Sequence, residues 1–456
     1  MTLGAASAIA GVDDTIVAEA TAPGRGALAV IRVSGPRCHA SCRAVVRTWP
    51  TAARLATLSD LRDARHALLD GAIVVRYDHP ASFTGEDSVE ITTHGGTTVP
   101  ATVLSALIEA GARLAQPGEF TRRALLNGKM DLLQAEAVGD LVASSSRAAQ
   151  RLALEQLDGG LSRRLVELRE KLIGVEALIA YDIDFPEEDD GPVSTERILA
   201  AVDELAAALD QLLATADTGE LVREGALVVL AGVPNAGKSS LFNALIGKRR
   251  AIVTDVPGTT RDAIEAVIDV GRWPLRLVDT AGLRDTTDTV ERIGVDVSYE
   301  YLERAAVVLA CGANAGELKR ALSAVADRAN GALIQVQTKS DLSDTGGKVP
   351  DAIAVSALTG AGLAQLTEEI LRALDARAGE VSADAPVLTR ARHRSRVALA
   401  RAELRSFRDA WQSDRIPPIV AAVHLRTATS ALEELIGRVD VENVLDEVFA
   451  RFCVGK

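Results

Sequence analysis

Ala226-Leu227-Val228-Val229-Leu230 leads into Gly232-Val233-Pro234-Asn235-Ala236-Gly237-Lys238-Ser239, and this stretch decides how the second half of the chain folds. The apolar run reads as a buried strand, and the glycine-rich segment ending in Lys-Ser reads as a turn from that strand into a helix. Such a turn aims several backbone N–H groups and a helix N-terminus at one point, where they hold phosphate oxygens. Lys238 then reaches the β- and γ-phosphates, and the Ser239 hydroxyl ligates Mg²⁺. From about Glu224 to Arg377 strands alternate with helices, the layout of a doubly wound parallel sheet.

Three further segments sort the nucleotide. Asp279-Thr280-Ala281-Gly282 ends the run Leu275-Arg276-Leu277-Val278, which places Asp279 on the metal's water shell and the Gly282 N–H at the γ-phosphate. Thr338-Lys339-Ser340-Asp341 follows Ala332 to Gln337, and Ser356-Ala357 follows Ile353-Ala354-Val355. A carboxylate at Asp341 accepts hydrogen bonds from guanine N1–H and its exocyclic amine, a pattern adenine lacks, so GTP is the expected ligand. The usual motif opens with Asn, and Thr338 lacks the amide that normally braces this loop. The expected GTP contacts are Asn235, Ala236, Gly237, Lys238, Ser239 and Ser240 in the first loop, with Asp279, Thr280, Ala281 and Gly282. Thr254-Asp255-Val256-Pro257-Gly258-Thr259-Thr260 joins them from a second loop, and Thr338, Lys339, Asp341, Ser356 and Ala357 from the base side.

Ras-like enzymes orient the attacking water with a glutamine after the glycine of that sensor, and here the residue is the apolar Leu283. Another group must supply the transition-state electrostatics. The side-chain oxygen of Asn235 suits a monovalent cation beside the β–γ bridge, where positive charge acts as an arginine finger does. Glu291 is either a water-orienting carboxylate or a surface residue of the following helix.

A chain of 456 residues exceeds one ordinary core, so two or three domains are expected. Aromatics make up only 3%, which points to helix-rich aliphatic packing. No apolar run is long enough to span a membrane and no leader is evident, so a soluble, cytoplasmic protein is expected. Cys38, Cys42, Cys311 and Cys453 are too scattered for a disulfide framework, and Cys38-His39 with Cys42 lacks a further metal ligand at suitable spacing. A net charge of −13 excludes broad electrostatic adhesion to nucleic acid, so any RNA contact is local or shared with a partner.

The layout reads as a multidomain chain. An α+β domain covers 1–118, beginning with a loose extension of a dozen residues and including a helical stretch from Thr102 to Leu114. A helical bundle covers 119–221 and 380–456, with an α/β unit inserted at 222–379. Leu161, Leu165, Leu168, Leu172, Val175 and Ile179 recur at steps of four and three on one helix face, and Ile198, Val202, Leu205, Leu209 and Leu212 repeat the pattern behind Ser194 as N-cap. Asp182 to Asp190 reads as an acidic connection broken by Pro186.

Several blocks resemble the MnmE (TrmE) family of tRNA-modification GTPases along almost the whole chain. They are Asp14 to Ala18, Pro23 to Gly26, Ile31 to Gly35, Ser82 to Asp87, His94-Gly95-Gly96, Pro117 to Ala124, Leu126 to Asp131 and the ending Phe452-Cys453-Val454-Gly455-Lys456. The resemblance implies a K⁺-stimulated GTPase, with K⁺ on Asn235, Thr254, Val256 and Thr259, Mg²⁺ on Ser239 and Thr260, and Glu291 orienting the water. It implies that the catalytic set is Glu291, Lys238 and Asn235, and that the α+β domain is a tetrahydrofolate-binding and dimerisation domain. Its donor is 5,10-methylenetetrahydrofolate or a 5-formyl analogue, matched to Arg32, Glu90, Lys129 and Lys456. The implied assembly is a homodimer that joins a flavin- and NADH-dependent partner in a heterotetramer. The implied reaction adds aminomethyl or carboxymethylaminomethyl groups at C5 of the wobble uridine of certain tRNAs. A ribosome-assembly or translation GTPase is the alternative, and it predicts a basic RNA module that this chain lacks. An ATP-using P-loop kinase is opposed by the Thr338 and Ser356 segments, and a non-catalytic GTP-binding protein is set apart by Glu291.

Overall fold

A computed structural model describes residues 14–22, 24–184, 194–247, 251–252, 264–279, 300–342, 348–378, 386–413, 417–437, 452 and 455. The chain forms two compact units, Met1–Gly139 with Glu433–Lys456, and Asp140–Leu432.

The first unit opens with β1 (Ile16–Glu19), β2 (Leu28–Ser34), α1 (Cys38–Val45), β3 (Thr57–Arg62), β4 (Leu68–Tyr77) and β5 (Ser88–His94). Then come α2 (Thr98–Glu109), β6 (Arg113–Leu114), α3 (Glu119–Leu126) and the start of α4 (Leu132–Ala143). The strands form one sheet in the order β3-β4-β5-β2-β1-β6, antiparallel except for β1 against β6. The stretch expected to stay helical to Leu114 ends at Glu109, because Gly111 adopts φ 99 and turns Arg113 and Leu114 onto β1.

Strand alternation sets the two faces. Ile31 and Val33 on β2, Val89 and Ile91 on β5, and Ala72 and Val74 on β4 are buried against Val103 and Leu107 of α2 and Cys38 and Cys42 of α1. Their neighbours Arg32, Glu90, Val75 and Tyr77 therefore point to the other face. The chain end also folds into this unit. A Cβ on Gly139 would lie 2.9 Å from the Phe452 ring, and one on Gly455 would lie 2.9 Å from Ala20 Cα. Gly455 is buried at φ 99, so a side chain there meets both a strained backbone and the end of β1.

The second unit holds α5 (Arg147–Leu157), α6 (Gly160–Asp184), α7 (Thr195–Ala214) and α8 (Ala216–Glu224), then β7 (Ala226–Gly232), α9 (Lys238–Gly247), β8 (Ala251–Ile252), β9 (Ile264–Val270) and β10 (Trp273–Asp279). β11 (Val307–Gly312), α10 (Ala315–Val325), β12 (Ala332–Gln337), β13 (Ile353–Ala354) and α11 (Leu363–Ala378) complete the sheet region, and α12 (Ala391–Ser413) and α13 (Pro418–Ile436) follow. Ser194 caps α7 by accepting from the Arg197 N–H. Asp182 to Asp184 belong to α6 rather than to the acidic connection, whose remainder from Phe185 to Asp190 lies outside the described residues, as does the N-terminal extension.

Both predicted leucine stripes are buried. α12 packs on α7 through His393, Val397, Ala400, Leu404 and Phe407, which share that spacing. Beside this seam runs a ladder of ion pairs, Asp203 with Arg408, Asp210 with Arg401 and Asp217 with Arg394, each seven residues from the next on both helical segments. Rising numbers on one side meet falling numbers on the other, so the helices are antiparallel. Gln156 Nε2 donates to Val387 O at 3.1 Å and Thr389 Oγ1 at 3.0 Å, and Leu388 N donates to Thr215 Oγ1 at 3.0 Å. The helical segments on either side of the sheet thus fold together.

The sheet has the order β13-β12-β11-β7-β10-β9-β8, parallel from β13 to β10 and antiparallel at β9 and β8. Its central strand is covered on both sides: Ala226, Val228 and Leu230 face one cluster, Leu227, Val229 and Ala231 the other. A continuous apolar run is what a doubly covered parallel strand requires.

Candidate functional site

The C-terminal ends of β7, β10, β11 and β12 converge on the loop Gly232 to Gly237. Asn235 at φ 61 and Gly237 at φ 82 curl this loop so that its amides and the first turn of α9 share a concave side. Asn tolerates that left-handed conformation better than most residues, and the Asn235 side chain is exposed. Lys238 is buried with its ammonium donating to Gly232 O at 3.0 Å and Val233 O at 3.1 Å, while Ser239 and Ser240 are exposed. Asp279 is 1% exposed and registers against Leu230, which sets a carboxylate one strand from the loop. Behind them lies Cys311, whose thiol is pushed up to about 12 by burial, with Lys238 acting against and Asp279 with that trend.

The base-side loop is tied directly to the phosphate-side loop. Thr338, 3% exposed, donates from its hydroxyl to Ala236 O at 2.6 Å, and Lys339 Nζ donates to Asn235 O at 2.9 Å. The brace expected to be missing with Thr338 is therefore supplied by its hydroxyl. Thr338 N donates to Gly312 O at 3.0 Å and Ser340 N to Val355 O at 3.1 Å, which fixes the loop against β11 and the end of β13. Asp341 is left exposed. Ser356 is buried, and its Oγ accepts from Thr359 N at 3.1 Å, so the Ser356-Ala357 turn is held by its own side chain. An exposed amide oxygen, an exposed serine hydroxyl and a strand-end carboxylate are ligand types that fit K⁺ and Mg²⁺.

In the first unit, Arg32 and Glu90 face each other across β2 and β5, with Nη2–Oε1 at 2.8 Å and Nε–Oε1 at 3.1 Å. Tyr77 OH donates to Glu90 Oε2 at 3.3 Å, and burial followed by the charge of Glu90 raises the pKa of that phenol. The Arg32 guanidinium lies 5.3 Å from the Phe83 ring and 5.7 Å from that of Phe120. Beside them is a cavity of about 530 Å³ lined by Arg54, Val75, Tyr77, Ala81, Ser82, Phe83 and Lys129. Lys129 Nζ donates to Pro80 O at 3.0 Å on its rim.

The family description "GTP-binding protein TrmE N-terminus" matches residues 15–129, and "MnmE helical domain" matches residues 132–453. Relatives named tRNA modification GTPase MnmE include those of Akkermansia muciniphila, 41% identical over 447 residues, and Neisseria meningitidis serogroup C, 42% identical over 450. Each alignment covers 97% of this chain and 99% of the relative. The relative from Aquifex aeolicus is 38% identical over 97% of this chain and all, 100%, of its own. The chain belongs to the MnmE family. Among solved structures, the G domain of the T. maritima FeoB iron transporter aligns at 27% identity over 32% of this chain and 97% of its own, with a TM-score of 0.26, too low to bear on function.

In this MnmE family member the structure brings Asn235, Ala236, Gly237, Lys238, Ser239, Ser240, Asp279, Thr338, Lys339, Asp341, Ser356 and Ala357 to one end of one sheet. It brings Arg32, Glu90 and Lys129 to one face of the other. Thr254 to Thr260, Thr280 to Gly282, Leu283, Glu291, Cys453 and Lys456 lie outside the described residues. Sequence reasoning missed Tyr77 and Arg54. The first was within reach, since Tyr77 continues the alternation of Ile73 and Val75 onto the Glu90 face. The second was not, because Arg54 precedes β3 and reaches the cavity only through its hydrogen bond to Ala81 O at 3.0 Å. No helix among the described residues is long and apolar enough to cross a membrane.

Proposed function

We propose that the chain is a K⁺-stimulated GTPase that modifies tRNA, adding aminomethyl or carboxymethylaminomethyl groups at C5 of the wobble uridine with a tetrahydrofolate one-carbon donor. One observation carries the tRNA-modifying GTPase reading: 97% of the chain aligns with relatives named tRNA modification GTPase MnmE. The hydrogen bonds from Thr338 and Lys339 to the phosphate loop support it, because they join base and phosphate recognition in one rigid piece.

On this reading Lys238 leaves the loop carbonyls for the β- and γ-phosphates, and Asp341 accepts from guanine. Ser239 and Thr260 hold Mg²⁺, with Asp279 on its water shell. Asn235, Thr254, Val256 and Thr259 hold K⁺, which when bound supplies positive charge against the developing charge on the β–γ bridge. Glu291 orients the water in the place where Leu283 offers no polar atom. In the first unit Arg32, Lys129 and Lys456 bind the donor's glutamate tail and Glu90 accepts from its pterin N–H groups. A cavity of about 530 Å³ lies within the range of about 300–1,000 Å³ typical of small-molecule sites. The protein acts as a cytoplasmic homodimer with a flavin- and NADH-dependent partner.

The test is turnover in K⁺ against Na⁺. Wild type is expected to be much faster in K⁺, Asn235→Ala to lose the difference, and Glu291→Ala to lose hydrolysis while still binding GTP. Equal rates in the two salts would remove the cation from the mechanism. Wobble uridines left unmodified in cells lacking the chain test the tRNA reaction.

A further inference from the structure

His39 on α1, Asp78 just beyond β4 and Asp87 just before β5 meet in the first unit. Three candidate ligand atoms, one from each, lie within 4.8 Å of one another. His39 Nε2 stands 3.7 Å from Asp78 Oδ1, and His39 Nδ1 stands 3.7 Å from Asp87 Oδ2. These gaps are too long for hydrogen bonds. His39 Nε2 and Asp78 Oδ1 are moreover buried atoms with no hydrogen-bond partner, an arrangement that costs free energy unless something else satisfies them. His39 offers one ring nitrogen to one ion, and a tetrahedral zinc with bonds of about 2.0–2.2 Å holds its ligand atoms roughly 3.4 Å apart, so side-chain rotation must draw the three atoms together by up to roughly 1.4 Å.

The surroundings already orient the ligands. Asp87 Oδ1 accepts from the His79 backbone N–H at 2.8 Å, which turns Oδ2 toward His39. The His39 ring packs edge-on against Trp49 with centroids 5.6 Å apart. Arg76 Nη1, 3.4 Å from Asp78 Oδ1, is the one cation beside the cluster among the ion pairs of the described residues, and it must share that carboxylate. We propose that His39, Asp78 and Asp87 bind one divalent first-row cation of the zinc type, with water completing the coordination. The ion pins both ends of the segment 78–87 to α1. That segment carries Pro80 O, Ala81, Ser82 and Phe83, the rim of the cavity, so the ion fixes the shape of that rim through the two ends of the segment.

The test uses the full chain, free of nucleotide and Mg²⁺, with Zn²⁺ and Co²⁺ as probes. Wild type is expected to take up one equivalent of Zn²⁺ that His39→Gln and Asp78→Asn each lose. Co²⁺ is expected to give d–d bands with no thiolate charge-transfer band, which separates this site from Cys38 and Cys42. Zn²⁺ is expected to slow hydrogen exchange across residues 78–87 in wild type and in neither variant. Circular dichroism confirms that the variants fold, and Asp78, 45% exposed at its side chain, is the position where folding is least at risk. Absence of a bound equivalent in wild type, undiminished uptake by both variants, or a charge-transfer band lost with Cys38→Ser overturns the assignment.

Discussion

A threonine hydroxyl stands in this chain where an amide is usual, and its consequence is measurable. Thr338→Val removes the donor to Ala236 O and leaves a buried carbonyl unpaired, at a cost of about 1–3 kcal/mol. If the phosphate loop bears that cost, affinity for a fluorescent GDP analogue falls roughly tenfold. Thr338→Asn keeps a donor and should bind like wild type; equal affinities for all three proteins would mean that the contact is inert. Cys311, with a thiol near pKa 12, is expected to resist maleimide at neutral pH until the chain is unfolded. Phosphate-binding residues were legible in the sequence because their chemistry depends on local spacing. The Thr338 brace was not, because it depends on how β11 and β12 register beside β7, a property of strands far apart in the chain.

Between elements, burial and charge contribute on different scales. The ladder on α7, α8 and α12 consists of pairs whose aspartates are about half exposed, so each is worth only about 0.2–1 kcal/mol. Leu209→Ala, which empties a fully buried position between those pairs, is expected to cost roughly 2–5 kcal/mol. A double-mutant cycle on Asp210 and Arg401 with urea unfolding compares the two, and the ladder then sets helix orientation and register more than stability. The leucine spacing announced these helices, whereas the aspartate ladder became visible only once α12 was seen to run antiparallel to α7.

The buried charges of the first unit behave differently. Arg123 is bound by Glu86, Glu119 and the Asp14 carbonyl. Arg123→Met removes the buried cation shared by Glu86 and Glu119, which keep Ser34 and Arg113 as partners, so the cost should lie toward the low end of about 3–5 kcal/mol. Burial works against the Glu119 carboxylate, yet hydrogen bonds from Arg113, the Gln116 N–H and Arg123 outweigh it and hold its pKa below the usual 4.5. Its contribution is thus complete above about pH 4.5 and is lost as pH falls through the lower folded value. Glu119→Gln should flatten the acid limb of a stability–pH curve measured by denaturant unfolding.

At the scale of the molecule, the first unit is discontinuous: its two pieces are separated by a second unit of about 290 residues. Strand and helix periodicity marked individual elements but not the bounds of these two pieces. It did not tell that the last residues return to β1, since nothing in Phe452 or Gly455 names a partner. Gly455→Val is expected to lower the melting temperature of the first unit by calorimetry, because it puts a Cβ against Ala20 and forces a branched residue to φ 99. The position of that glycine carries a further meaning for biosynthesis. Gly455 must be synthesised before it can seat beside Glu19 and Ala20, so the strand made among the first is covered by residues translated more than four hundred positions later.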